Sequence, residues 1–248
     1  MEIARMPEDI NQLVERAVWD NYYSSLKDLG YFEPSYSAGR ITQELATKTG
    51  RDPIEVLPIV NGSLYDPEVF DSIQPGANEA IKGLLEQGIR VYLWTIGNRE
   101  IQEKKVNAIK EKVFGSLCGK RGGSKEISCH LKNNLHESIS VWNKIQALEQ
   151  ILKELLAMNI TGVYIADDKK ENIESAKSCA KRLGTELMDF IIDNDHPDGS
   201  FHACIAHLQN ALKKGIKAAI FDIDDTVFNE TGFNGRIAKI AKIINQRL

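Results

Sequence analysis

The segment AAIFDIDDTVF (218–228) delivers Asp222, Asp224, Asp225 and Thr226 directly behind an apolar run. Carboxylates a few ångströms apart repel one another and raise one another's pKa values. A hard divalent cation relieves that repulsion, and Mg²⁺ takes carboxylates together with waters and a substrate phosphate. Asp222 and Asp224 stand two positions apart. In a strand that ran on, they would face one side, with Ile223 turned into the core. Two more apolar runs also end in reactive polar residues: IRVYLWT closes on Thr95, and TGVYIAD closes on Asp167 with Asp168 next.

Strands must carry these groups. IRVYLWT (89–95), TGVYIAD (161–167), ELMDFIID (186–193) and IKAAIFDID (216–224) are short, apolar and rich in β-branched or aromatic residues, as buried strands are. EISCHL (126–131) reads as a short edge strand. Helical periodicity falls between them, over 77–87, 98–113, 141–157, 170–183 and 200–214, with a last helix at 235–247. Glycines 88, 184 and 215 end three of these helices. Strands that alternate with helices imply βαβ units, a parallel sheet and ligands at the carboxyl ends of the strands. The expected fold is α/β: a three-layer, Rossmann-like parallel sheet with a small helical module.

That module occupies the N-terminal third. Residues 8–30 form an amphipathic pattern, GYFEP breaks it, and shorter helical pieces follow around ITQELATKTG and PIEVLPIV. Gly50, Pro53 and an NGS turn at 61–63 punctuate them. The expected division is a core over 76–228, with 1–75 and 229–248 forming the helical part.

Composition narrows the function classes. The 248 residues carry a formal net charge of −4, which disfavours nucleic acid or an anionic membrane as partner. The polar start MEIARMPEDINQ does not read as a signal peptide, and no apolar run approaches the ~20 residues of a bilayer span. Cys118, Cys129, Cys179 and Cys204 form no CxxC pair, and Cys129 with His130 has no second ligand pair for zinc. They read as reduced thiols in a cytoplasmic protein.

With these residues in view, the chain resembles the haloacid dehalogenase-like superfamily. IFDIDDT is similar to its first motif, hydrophobic residues followed by DxDxT. The resemblance implies that Asp222 attacks phosphorus and becomes an aspartyl phosphate. Asp224 then protonates the leaving oxygen and activates water, its backbone carbonyl touching the metal, and Thr226 orients the nucleophile loop. VYLWTIGN, led in by QPGANEAIKGLLEQGIR, looks like the second motif, so Thr95, with Ile96, Gly97 and Asn98, would bind the phosphoryl group. Lys144 stands where the third motif places a lysine that neutralises phosphate and nucleophile, with Lys125 and Lys132 as competitors and no KP dipeptide. VYIADDKKENIESA is similar to the fourth motif, with Asp167 as principal metal ligand and Asp168 or Asn172 in support. The implied cofactor is Mg²⁺, held by Asp222, Asp224, Asp167 and Asp168.

The motif order departs from the family. The chain runs second, third, fourth, first, as though the usual order had been rotated. Joining the C-terminal NETGFNGRIAKIAKIINQRL to the N-terminus restores that order and puts a helical insert, a cap, between the first two motifs. Circular permutation is tolerated when the original termini lie close together; the segment 194–215 would bridge them, and the present termini are expected near each other in or beside the cap. The rival account makes 217–248 the start of a truncated second domain. The expected activity is Mg²⁺-dependent hydrolysis of a small phosphorylated metabolite. The alternatives are a phosphomutase and a non-catalytic, receiver-like phosphate- or metal-binding domain. Asp224 argues against a dehalogenase, which needs no acid there. Oligomeric state is not legible.

Overall fold

The computed structural model describes residues 10–29, 33–70, 73–118, 133–140, 143–193, 199–227 and 233–248. Among them, five strands form one all-parallel sheet in the order β2-β1-β5-β3-β4: β1 (Arg90–Ile96), β2 (Leu135–Ser140), β3 (Gly162–Asp167), β4 (Glu186–Ile191) and β5 (Ala218–Asp222). The helices are α1 (Ile10–Leu29), α2 (Pro34–Thr49), α3 (Pro53–Leu64), α4 (Ala77–Glu86), α5 (Arg99–Cys118), α6 (Lys144–Ala157), α7 (Lys170–Leu183), α8 (Phe201–Lys213) and α9 (Phe233–Arg247). The chain divides into two compact units, Met1–Ser72 with Glu230–Leu248, and Ile73–Asn229.

In the larger unit the last strand of the sequence lies at the centre of the sheet. Every residue of β5 is buried, as expected of the most apolar run in the chain. Alternation along the strands assigns side chains to two faces. Val91, Leu93, Ala219, Phe221, Tyr164 and Ala166 pack with α4, α5 and α8. Tyr92, Trp94, Ala218, Ile220, Val163 and Ile165 pack with α6 and α7. Helices on both faces make three layers, the α/β class the sequence implied.

EISCHL lies outside the described residues; among those described, β2, LHESIS, which the sequence did not mark as a strand, forms one edge of the sheet, paired parallel to β1, and β4 forms the other. Only Leu135 of β2 is buried, so its sequence lacks the apolar run that marks β1, β3 and β5; β4, at the other edge, has no buried residue. Residues 119–126 of the Gly-rich CGKRGGSKE and residues 194–198 of NDHPDG, which read as loops in sequence, also lie outside the described residues. Cys179 and Cys204 are free and buried. Burial pushes the Cys204 thiol up to about 12, so it stays protonated and inert.

The smaller unit is helical. Asp52 caps α3, its carboxylate accepting from Ile54 N at 2.8 Å, with Pro53 in the first turn. Gly50 ends α2 at φ +70°, a left-handed position that glycine adopts without strain. The NGS sequence is a correction: it lies inside α3 rather than in a turn. Val60, Ser63 and Leu64 are buried there, and Ser63 Oγ donates back to Ile59 O at 2.7 Å. Packing overrides the turn preference of Asn-Gly. Helix α1 packs against α9, and Asn11 and Glu15 share a groove with Ala241, Asn245 and Gln246. Arg247 pairs with Asp66 at 2.6 Å. Among the described residues no helix is long and apolar enough to cross a membrane.

Central burial of β5 sets a stability expectation. Ile220→Ala, at a position with 0% exposure, should cost about 2–5 kcal/mol in urea unfolding. Ile54→Ala, at 79% exposure, should change stability by less than about 0.5 kcal/mol.

Candidate functional site

Strand register brings the sequence-separated residues together. Trp94 pairs with Asp222 and Ala166 with Phe221, so Thr95, next to last in β1, and Asp167, last in β3, lie at the carboxyl ends of the strands flanking β5. The chain leaves β1 for α5 on one face and β3 for α7 on the other. Connections that diverge in this way open a crevice at the carboxyl ends of the strands.

Lys144 is the hub. It opens α6, and its ammonium lies 2.7 Å from Asp222 Oδ1 and 2.7 Å from Asp167 Oδ2. It also stands 4.3 Å from the centroid of the Trp94 ring, whose Nε1 donates to Lys144 O at 2.8 Å. A cation at a helix N-terminus opposes the helix dipole. Here the two carboxylates offset that cost. The Asn143 side chain caps α6 by accepting from Gln146 N at 2.9 Å. Lys125 and Lys132, the competing lysines, lie outside the described residues.

Asp167 is fully buried and satisfied on every side. Besides Lys144, it accepts from Lys169 N at 2.8 Å and from Asn172 Nδ2 at 2.9 and 3.1 Å. It thus supports the start of α7 as well as the site, and Asn172 serves as its donor. Asp168 stands beside it: Asp167, Asp168 and Asp222 each bring one carboxylate oxygen within 4.8 Å of the others. An all-oxygen donor set of this kind suits a hard cation such as Mg²⁺.

Burial is the first cause that pushes the Asp222 carboxyl up to about 7. Asp167 and Asp168 push the same way, and Lys144 opposes them. Burial alone would lower the Lys144 ammonium, but Asp222 and Asp167 outweigh it and the net direction is upward.

Asp224 does not join that cluster. The strand stops at Asp222, and Ile223–Val227 form a π-helical turn. The same-side expectation for Asp222 and Asp224 held only for a continuing strand. The turn instead brings the Asp224 carboxylate to α5, where it meets Lys105 and accepts from Gln102 Nε2 at 3.1 Å. Thr95 Oγ1 lies 3.5 Å away, a long contact. Thr226 Oγ1 is buried and has no hydrogen-bond partner among the described residues.

The residues after Thr95 divide between roles. Ile96 is 39% exposed at the strand end. Gly97 adopts φ +145°, and a Cβ there would stand 2.9 Å from Gln102 Nε2. Asn98 caps α5, its Oδ1 accepting from Ile101 N at 3.2 Å. Gln102 and Lys105 escaped the sequence reading. Their signal was present: both fall on the helical stripe of Ile101, Val106 and Ile109, where a polar or charged side chain is out of place.

No family model, curated protein or solved structure matches this chain.

Two outcomes follow from the buried charges. Lys144→Met leaves Asp222 and Asp167 uncompensated and should cost about 3–5 kcal/mol of unfolding free energy. Lys110→Met, which breaks the surface pair with Glu137, should cost less than about 1 kcal/mol. The second outcome concerns pH. The folded Asp222 carboxyl titrates above its ordinary 3.8, at about 7, so its contribution is full at low pH and is lost as pH rises through 7. In chelator, wild type should therefore lose stability relative to Asp222→Asn as pH rises from about 5 to 8. A flat difference in thermal midpoints would contradict this assignment.

Proposed function

We propose that this chain is a magnesium-dependent phosphohydrolase of the haloacid dehalogenase type, acting on a small phosphorylated metabolite. The observation that carries the proposal is the Lys144 ammonium held 2.7 Å from both Asp222 and Asp167 at the end of the central strand. A carboxylate nucleophile, a buried cation and a second acid in one crevice are what phosphoryl transfer asks of a site.

In this reading an Asp222 carboxylate oxygen attacks phosphorus. The bond to the leaving oxygen breaks, and Asp224 supplies that oxygen's proton. In the second half Asp224 takes a proton from water. The water oxygen attacks phosphorus, and the bond to Asp222 breaks to free phosphate. Thr95 and the backbone of Ile96 and Gly97 bind the phosphoryl oxygens, and Lys144 offsets their charge. Mg²⁺, held by Asp167, Asp168, Asp222 and the backbone carbonyl of Asp224, would neutralise negative charge on the phosphoryl group.

The proposal includes a rotated motif order. In its favour, the last strand of the sequence fills the central place in the sheet, and α1 and α9 pack within one helical unit. Residues 1–75 with 229–248 would be the cap that selects the substrate. A truncated second domain starting at 217 would take β5 out of the sheet whose centre it occupies.

The test is hydrolysis of an aryl phosphate by wild type and Asp222→Asn, each with Mg²⁺ and with chelator. The expected result is turnover by wild type in Mg²⁺, lost in chelator, and lower by at least about 10³-fold in Asp222→Asn. Equal turnover by both proteins would overturn the nucleophile assignment. A long-lived phosphoenzyme without turnover would instead mark a receiver-like domain.

A further inference from the structure

A second buried lysine reaches the end of β5 from the face opposite Lys144. The Lys105 side chain is 3% exposed, and its ammonium pairs with the Asp224 carboxylate. Gln102, one turn earlier on α5, donates from the same Nε2 to Asp224 Oδ2 at 3.1 Å and to Ile96 O at 3.3 Å. With the long Thr95 contact, three donors meet one carboxylate, and in each contact Asp224 accepts. Its side chain remains 29% exposed, so one side stays open to solvent. Gly97 closes over the amide of Gln102, where any Cβ would displace it.

Stability does not account for this arrangement. A buried ion pair is usually replaced by well-packed apolar side chains at little cost, or with a gain. Lys105 and Gln102 lie on the apolar stripe of α5, where Met or Leu would pack. What the two side chains do provide is orientation: an unrestrained Asp samples several rotamers, whereas this one is gripped at both oxygens. Misplacing a reacting group by about 1 Å can cost roughly 10²-fold in rate.

We propose that Lys105 and Gln102 are positioning residues that hold the Asp224 carboxylate for the second half-reaction, in which it takes a proton from the water that hydrolyses phosphorylated Asp222. This rests on the phosphohydrolase reading. The proton moves from water to an Asp224 oxygen, the water oxygen bonds to phosphorus, and the phosphorus–Asp222 bond breaks. Formation of the phosphoenzyme from an aryl phosphate does not need the clamp, because a good leaving group departs without a proton.

The experiment follows formation and decay of the phosphoenzyme separately, by acid quench, in the full chain with Mg²⁺ and an aryl phosphate of low leaving-group pKa. Lys105→Met should slow decay roughly 10²-fold while formation stays within about threefold, so phosphoenzyme accumulates. Lys105→Arg should recover part of the loss. Gln102→Ala, which removes a donor without leaving an unpaired charge, should show the same split on a smaller scale, and it decides the matter if Lys105→Met does not fold. Equal slowing of both halves, or no change in either, would overturn the clamp and leave the phosphohydrolase reading intact. Absence of any phosphoenzyme and turnover in wild type would overturn both.

Discussion

Everything at the end of the central strand depends on compensating negative charge out of water. Asp222 and Asp167 are buried side by side, with Asp168 adjoining them. Removed from solvent, such a group would repel itself apart or take up protons. Lys144 opposes this by standing between Asp222 and Asp167 with its back to the Trp94 ring, although burial still raises the Asp222 carboxyl to about 7. It does so against its own desolvation and against the helix dipole at the start of α6. An interaction of this kind adds little net stability over a well-packed apolar substitute.

The sheet topology makes that compensation possible. With β5 between β1 and β3, the carboxyl ends of three parallel strands lie side by side and carry Thr95, Asp222 and Asp167. Because β-strand side chains alternate, Trp94 and Asp222 share the face covered by α6. Thr95 turns to the face covered by α5, and the π-helical turn after Asp222 carries Asp224 there too. One short stretch therefore serves two lysines from opposite layers, Lys144 for Asp222 and Lys105 for Asp224. The acids are separated by which layer answers them.

The sequence showed its strongest features through composition and period. Three strands, β1, β3 and β5, were legible because buried parallel strands are continuous apolar runs, and the helices because their stripes recur at three and four residues; β4 was expected to be buried too, but it is an edge strand with no buried residue. Strand β2 was not legible, since an edge strand with one buried residue resembles a loop. The NGS segment was misleading for the opposite reason: local turn propensity is worth about 1 kcal/mol, less than the burial of Val60 and Leu64 in α3. Among the candidate site residues, Asp222, Asp167 and Thr95 stood out at the ends of apolar runs, and Lys144 only through the resemblance of the motifs. Lys105 and Gln102 did not, because a polar residue on a helical stripe carries no hint of which partner awaits it.

The sequence by itself determined the α/β class, the acids at the strand ends and the split between helical and mixed segments, since each is a matter of local pattern. Only the tertiary structure decided that the last strand sits at the centre of the sheet, because strand order follows from packing across the whole chain. The pairing of Lys144 with two acids and of Lys105 with a third was decided there too. Ion pairs of this kind depend on distances of a few ångströms between residues far apart in sequence, and no local pattern encodes them.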